Sequence, residues 1–148
     1  LVSAVTTQRP DLFGAVLCEV PLTDMVRYHK FGPAKTWIHE YGNPENPEHF
    51  EFLYDYSPYH NVEPRTDYPA FLMMSSASDD RVHPMHARKF TAALQYADTT
   101  PSSPALFRLE RKAGHGGAAM VRKEIAKATD RLSFLMDQFG MEPATPGE

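Results

Sequence analysis

Apolar residues along this chain follow two alternating rhythms. Short unbroken or nearly unbroken apolar runs, bounded by glycine, proline or small polar residues, occupy residues 14–20 (GAVLCEV), 71–74 (FLMM) and 105–110 (ALFRLE). Runs this short with turn signals beside them predict buried strands. Elsewhere the apolar positions recur at threes and fours: Phe50, Leu53 and Tyr54 within residues 47–56, Phe90, Ala93, Leu94 and Ala97 after Pro84, and Ile125, Ala128, Leu132, Leu135, Met136 and Phe139 within residues 120–139. That spacing gathers side chains on one face of a helix. Pro47 and Pro84 stand where such helices open, a tolerated place because a first-turn N–H has no partner to lose. Residues 1–8 predict a further helix that stops at Arg9-Pro10, and Asp24, ahead of Met25, Val26 and Tyr28, predicts the cap of a short one.

The intervening segments are rich in Gly, Pro, Asn and Ser. Residues 31–47 predict a long surface excursion holding Trp37 and Tyr41, residues 57–62 a turn, and residues 99–104 a polar loop. Residues 112–117 form a glycine-rich loop, and the polar tail 141–148 is expected to be disordered. Strand and helix thus alternate, which predicts an α/β fold with parallel strands and helices on both faces of the sheet. Ligands of such sheets bind outside the carboxyl ends of the strands.

Composition narrows the function classes. With 148 residues, 42% apolar and 11% aromatic, the chain has enough material for one core. Its net charge of -4 comes from 15 basic and 19 acidic residues scattered along the chain, so there is no basic stripe to follow a nucleic acid. Cys18 is the only cysteine, which excludes an intrachain disulfide, fits a reducing compartment and, among apolar neighbours, predicts a buried thiol. No stretch reaches the roughly 18 to 20 apolar residues of a membrane span. A cytoplasmic location is expected, with a periplasmic one open. The chain starts at Leu1 without an initiator methionine, so a leader peptide cannot be judged.

Candidate chemistry concentrates in SSASDDRVHPMHARKF and in KAGHGG. Asp79 and Asp80 follow the second strand run, and His115 follows the third. A histidine acting as general base needs its other ring nitrogen held by a carboxylate, which fixes the tautomer and stabilises the imidazolium. Asp79 and His115 fit that pair and occur in the Asp-then-His order of hydrolases built on such a sheet. The same residues also fit a helix cap and a tight loop. His83 and His86, three apart, could join His115 around a metal, but His29 and His60 stand isolated and no H-E-x-x-H pattern completes a shell. No metal and no cofactor are expected. Ser3, Ser57, Ser75, Ser76, Ser78, Ser102, Ser103 and Ser133 all lack the Gly-x-Ser-x-Gly setting of a nucleophile elbow.

Taken in order, residues 8–14 (QRPDLFG), 37–42 (WIHEYG), Tyr56-Ser57-Pro58 with His60-Asn61-Val62, Tyr68-Pro69, DDRVHPMHARKF and KAGHGG resemble the carboxyl-terminal part of the prolyl oligopeptidases. The resemblance spans residues 1–139. It implies that residues 1–140 are the C-terminal part of an α/β-hydrolase domain of a serine peptidase that cleaves short peptides after proline. It further implies that Asp79 and His115 are the triad acid and base, and that Arg81 holds the substrate carbonyl on the acyl side. By the same match the proline ring stacks on Trp37, with Tyr41, Val82 and Leu22 as other walls, and Asp80 is a structural neighbour.

In that family the nucleophile sits in a Gly-Gly-Ser-Asn-Gly-Gly elbow shortly before the helix that residues 1–8 match. The serine, the oxyanion donors and the β-propeller are therefore expected upstream of Leu1, and this chain alone is expected to be inert. Its expected partners are short proline-containing peptides and the N-terminal part of the same enzyme. The alternatives are a non-catalytic binding domain with a hydrolase fold, or a related oligopeptidase or esterase of different specificity.

Overall fold

The computed structural model describes residues 1–97, 103–111 and 117–143. The chain divides into two units, Leu1–Lys112 and Ala113–Glu148. The first holds three parallel strands, β1 (Ala15–Glu19), β2 (Ala70–Ser76) and β3 (Ala105–Glu110), paired in the order β1-β2-β3. Each of the three apolar runs became a strand. Val16 lies opposite Phe71, and Phe71 opposite Ala105, so side chains of matching parity share a face across the sheet. The central strand β2 is buried along six of its seven residues, which explains why its sequence is apolar without alternation.

Four helices accompany the strands in this unit: α1 (Val2–Gln8), α2 (Ile38–Tyr41), α3 (Pro47–Tyr56) and α4 (Met85–Ala97). Helix α4 places Ala87, Phe90, Leu94 and Ala97 against Val16, Cys18, Phe71 and Met73 of the sheet. Phe71 and Phe90 meet edge to face at 5.6 Å between ring centroids, the arrangement their quadrupoles favour. Cys18 is buried, as its neighbours predict, and lies 3.2 Å from the Ser3 hydroxyl of α1. Helix α3 matches its predicted bounds, and Asn46 caps it by accepting the Glu48 N–H at 2.9 Å.

Residues 20–46 depart from the sequence reading. No regular helix begins at Asp24, and the excursion is no loose surface loop. It runs through 3-10 turns at Tyr28–Lys30 and Gly32–Trp37 into α2. Its apolar residues build a second cluster in which Met25, Tyr28, Ala34 and Leu53 are buried, with Leu22, Trp37, Ile38, Tyr41 and Tyr56 packed against them.

A polar hub fastens this segment to α4. Thr23 and Asp24 both donate backbone N–H groups to Nδ1 of His86, at 3.3 and 3.1 Å, and the Thr23 hydroxyl donates to the His86 carbonyl at 2.7 Å. The Asp24 carboxylate has no exposed surface. It accepts from Lys89 Nζ, from Arg27 Nε at 3.0 Å and from the Arg27 N–H at 3.1 Å, with His60 Nε2 3.9 Å away. Ser57 completes the hub, accepting the Met25 N–H at 3.0 Å and lying 2.8 Å from His60 Nδ1.

The second unit contains α5 (Gly117–Gln138), longer at its start than the predicted 120–139. Of its predicted stripe, Ala128, Leu135 and Met136 are half-buried whereas Ile125 and Leu132 are exposed. Gly140, at φ +61°, ends it: the Gly140 N–H donates to Asp137 and the Met141 N–H to Met136, the paired bonds of a Schellman cap. Among the described residues no helix is long and apolar enough to cross a membrane. Residues 98–102 and 144–148, which include most of the predicted loop and tail, lie outside the described residues.

Because His86 must accept two backbone N–H groups at Nδ1, the fold requires it neutral there. Burial pushes its pKa down to about 4 against an opposing pull from Asp24, while His83 and Lys89 push the same way as burial. Burial also lowers His60, with Asp24 opposing. The folded chain therefore refuses protons that the unfolded chain takes up below its ordinary histidine pKa. Stability is full above that value and falls as pH drops toward about 4, by no more than about 3.5 kcal/mol for His86. Thermal unfolding at about pH 7.5 and about pH 5 measures this. The wild type should lose Tm on acidification, and His86→Asn, whose amide oxygen replaces Nδ1 without titrating, should lose less; equal losses would remove His86 as the cause.

Candidate active site

The chain leaves β2 at Ser76 and turns sharply through residues 77–82. Asp79 organises that turn. Its Oδ1 accepts the backbone N–H groups of Arg81 at 3.0 Å and Val82 at 2.9 Å, and its own N–H donates weakly to the Ser76 carbonyl at 3.4 Å. Among the described residues nothing bonds Oδ2. The cap of α4 is instead His83, whose Nδ1 accepts the Met85 N–H at 3.2 Å. The carboxylate of Asp79 thus sits just past the carboxyl end of the central parallel strand, half-exposed and held by one oxygen, while Asp80 points to solvent.

The excursion comes down on this turn. The Phe31 and His83 rings lie 4.9 Å apart, and a side-chain carbon built on Gly32 would stand 3.5 Å from the Asp80 carbonyl. Tyr41 feels the charge of Arg81: burial raises the Tyr41 phenol, Glu40 adds to the rise, and Arg81 opposes it. The structure therefore packs Trp37, Tyr41 and Leu22 on one buried cluster, with Tyr41 within electrostatic reach of Arg81. Val82 is half-buried in the turn itself. A cavity of about 270 Å³ opens on one side of the cluster, lined by Leu22, Met25, Tyr41 and Tyr56 together with residues of α1 and the end of β1; Trp37, Arg81 and Val82 are not among its walls.

Two backbone features fix the cluster. Val20, at φ +47°, takes a left-handed conformation that costs a β-branched residue roughly 1 to 3 kcal/mol, and it redirects the chain from β1 toward Leu22. Gly42 ends α2 at φ +109°, where a side-chain carbon would lie 2.8 Å from the Phe52 ring. Its carbonyl accepts the Tyr28 hydroxyl at 2.7 Å, and the Tyr28 ring meets Tyr41 edge to face at 5.7 Å. Burial drives the Tyr28 phenol up to about 12, helped by Tyr56 and Tyr41, so it stays a neutral donor.

His115 lies outside the described residues. His83 and His86 each commit Nδ1 to backbone N–H groups, which gives both a structural task. His29 and His60, isolated along the sequence, are paired in the fold with Glu45 and with Ser57 and Asp24 respectively. Ser57, His60 and Asp24 mimic the nucleophile, base and acid of a triad, but Ser57 is fully buried and its oxygen is taken by Met25 N–H, so no substrate reaches it. The hub residues Asp24, His86 and Lys89 had no signal in the sequence beyond a capping residue and a histidine pair.

The chain matches the model of the prolyl oligopeptidase family over residues 1–142. It is 41% identical to the prolyl endopeptidase of Elizabethkingia meningoseptica over 143 residues, which are 96% of this chain and 20% of that one. Among solved structures, a prolyl endopeptidase at 55% identity superposes with a TM-score of 0.88 over 95% of this chain and 21% of that chain. Prolyl oligopeptidase B from Galerina marginata, bound to a 35mer hydrolysis and macrocyclization substrate, superposes with a TM-score of 0.88 at 34% identity over 97% of this chain and 20% of its own. The chain spans about a fifth of the length of the curated relatives it matches. Its three parallel strands and helices are part of an α/β-hydrolase fold.

The turn at residues 79–82 separates two roles of Asp79 by experiment. Asp79→Asn keeps an oxygen for the Arg81 and Val82 N–H groups and should leave Tm nearly unchanged, whereas Asp79→Ala loses both bonds and should cost about 1 to 2 kcal/mol. Denaturant unfolding of the two variants compares them; equal stabilities would mean the turn does not depend on that oxygen.

Proposed function

We propose, for a chain that belongs to the prolyl oligopeptidase family, that residues 1–140 are the C-terminal part of the catalytic domain of a serine peptidase that cleaves short peptides after proline. Residues 141–148 would form its polar tail. The observation that carries this reading is the meeting of the Asp79 turn with the segment leading into Trp37 and Tyr41 just past the carboxyl end of β2, where the Phe31 ring lies against His83 and Gly32 approaches the Asp80 carbonyl.

In this reading the nucleophilic serine is supplied by sequence upstream of Leu1. His115 takes the proton from the serine hydroxyl as its oxygen attacks the substrate carbonyl carbon, then delivers that proton to the leaving amine as the C–N bond breaks. Water, deprotonated by the same histidine, hydrolyses the serine ester. Asp79 uses Oδ1 for the turn and offers Oδ2 to His115, fixing the ring tautomer and stabilising its charged form. Arg81 is fixed by the Asp79 bond to its backbone and presents its guanidinium to the substrate carbonyl on the acyl side.

The proline ring stacks on Trp37, between Tyr41, Val82 and Leu22. A flat, uncharged, half-buried indole selects a ring by contact area and shape without needing a counter-charge, which supports proline over a basic side chain. Neutral tyrosines line the same cluster, and the relatives carry prolyl peptidase names, which weighs against the binding-domain and esterase alternatives. A cytoplasmic location, with a periplasmic one open, fits the single buried thiol of this part of the enzyme.

Two outcomes follow in the intact enzyme. Asp79→Asn should lower turnover of a prolyl peptide by about three to four orders of magnitude at unchanged Tm, the scale expected when a triad aspartate loses its charge; near-normal turnover would end the assignment. Trp37→Ala should reduce kcat/KM for a proline-containing peptide by at least about tenfold more than for its alanine counterpart. Equal losses on the two peptides would place proline recognition elsewhere.

A further inference from the structure

Asp24 and Lys89 lie outside every contact assigned to the substrate, yet they join the two segments that make those contacts. Asp24 follows Leu22 by two residues, and Met25 and Tyr28 beyond it form the buried floor under Trp37 and Tyr41. Lys89 stands one turn into α4, the helix that begins directly after Arg81 and Val82. The Lys89 ammonium binds Asp24 Oδ2 and covers the Tyr59 ring at 3.9 Å from its centroid. His86, on the same side of α4, holds the backbone of Thr23 and Asp24.

A buried ion pair returns little more than the desolvation it costs, and a well-packed apolar pair of similar volume would serve stability as well. What an ion pair adds is a fixed register between the elements that carry its two charges. We infer that the Asp24–Lys89 pair is a positioning device for proline selection: it sets the wall formed by Leu22, Trp37 and Tyr41 at a fixed distance from Arg81 and Val82. The inference rests on the pocket assigned above. Removing the charge on Lys89 leaves the Asp24 carboxylate with Arg27 of its own segment and the more distant His60, neither on α4, so that only the His86 bonds to the Thr23 and Asp24 backbone still tie this segment to the helix.

The test is the ratio of kcat/KM for two peptides that differ only in proline or alanine on the acyl side of the scissile bond, measured in the intact enzyme. The ratio does not depend on how much enzyme is folded. Lys89→Met should lower it about tenfold, the order of effect that a sub-ångström misplacement produces, and Lys89→Arg, which keeps the charge, should recover most of the loss. Leu94→Ala, a core change in the same helix that leaves Asp24 untouched, should lower Tm while keeping the ratio. If Lys89→Met does not accumulate, Lys89→Gln, which keeps a donor without the charge, is measured in its place. An unchanged ratio in the Lys89 variant, or an equal fall in Leu94→Ala, would overturn the inference while leaving the pocket assignment intact. A wild type without proline preference would overturn the pocket assignment and this inference together.

Discussion

The Asp24 carboxylate is wholly removed from water, and the arrangement of the first unit answers that condition. A buried carboxylate is tolerable only where donors and charges replace its hydration. Burial alone would raise its pKa, but the bond and charge of Lys89, with Arg27 and His60, outweigh burial and hold it low. Its partners come from three places: Arg27 from Asp24's own segment, His60 from the turn after α3, Lys89 from α4. Satisfying one charge therefore draws three segments to a point between the sheet and the aromatic cluster. One of the three partners, Lys89, stands on the helix that follows the Asp79 turn.

The strands and the longer helices were legible because their signals are local. The apolar run FLMM needs only its neighbours to be read as a central strand, and residues 47–56 and 85–97 carry a helical stripe and a proline start in plain view. What sequence reasoning lost was non-local. Asp24 does accept the Arg27 N–H as a capping residue would, but its second role as a buried counter-ion is invisible until Lys89, 65 residues away, is brought beside it. His60 looked isolated for the same reason, since its partner Asp24 precedes it by most of the excursion. The Gly32–Trp37 turn and α2 are too short to show a period and are shaped by packing on Tyr28 and Leu53.

The candidate site divides along the same line. Asp79 is visible in the sequence as an acidic residue past a strand, and the structure shows its turn-forming role: Oδ1 accepts the Arg81 and Val82 N–H groups, while among the described residues nothing bonds Oδ2. The proposed pocket residues are reached only through family motifs, because nothing in the spacing of Leu22, Trp37, Tyr41 and Val82 links them, and Val82 lies in the Asp79 turn rather than in the cluster. The structure gathers Leu22, Trp37 and Tyr41 onto one cluster and brings Arg81 within electrostatic reach of it. His115 lies outside the described residues, and its part in the site rests on the motif Gly114-His115-Gly116.

The most direct measurement is a crystal structure of the intact enzyme with a peptide aldehyde ending in proline, which a serine nucleophile captures as a hemiacetal. The account predicts the proline ring stacked on Trp37, the Arg81 guanidinium on the preceding carbonyl, and a His115 ring nitrogen about 2.6 to 3.2 Å from Asp79 Oδ2. A proline ring seated away from Trp37, or a His115 ring turned away from Asp79, would contradict it.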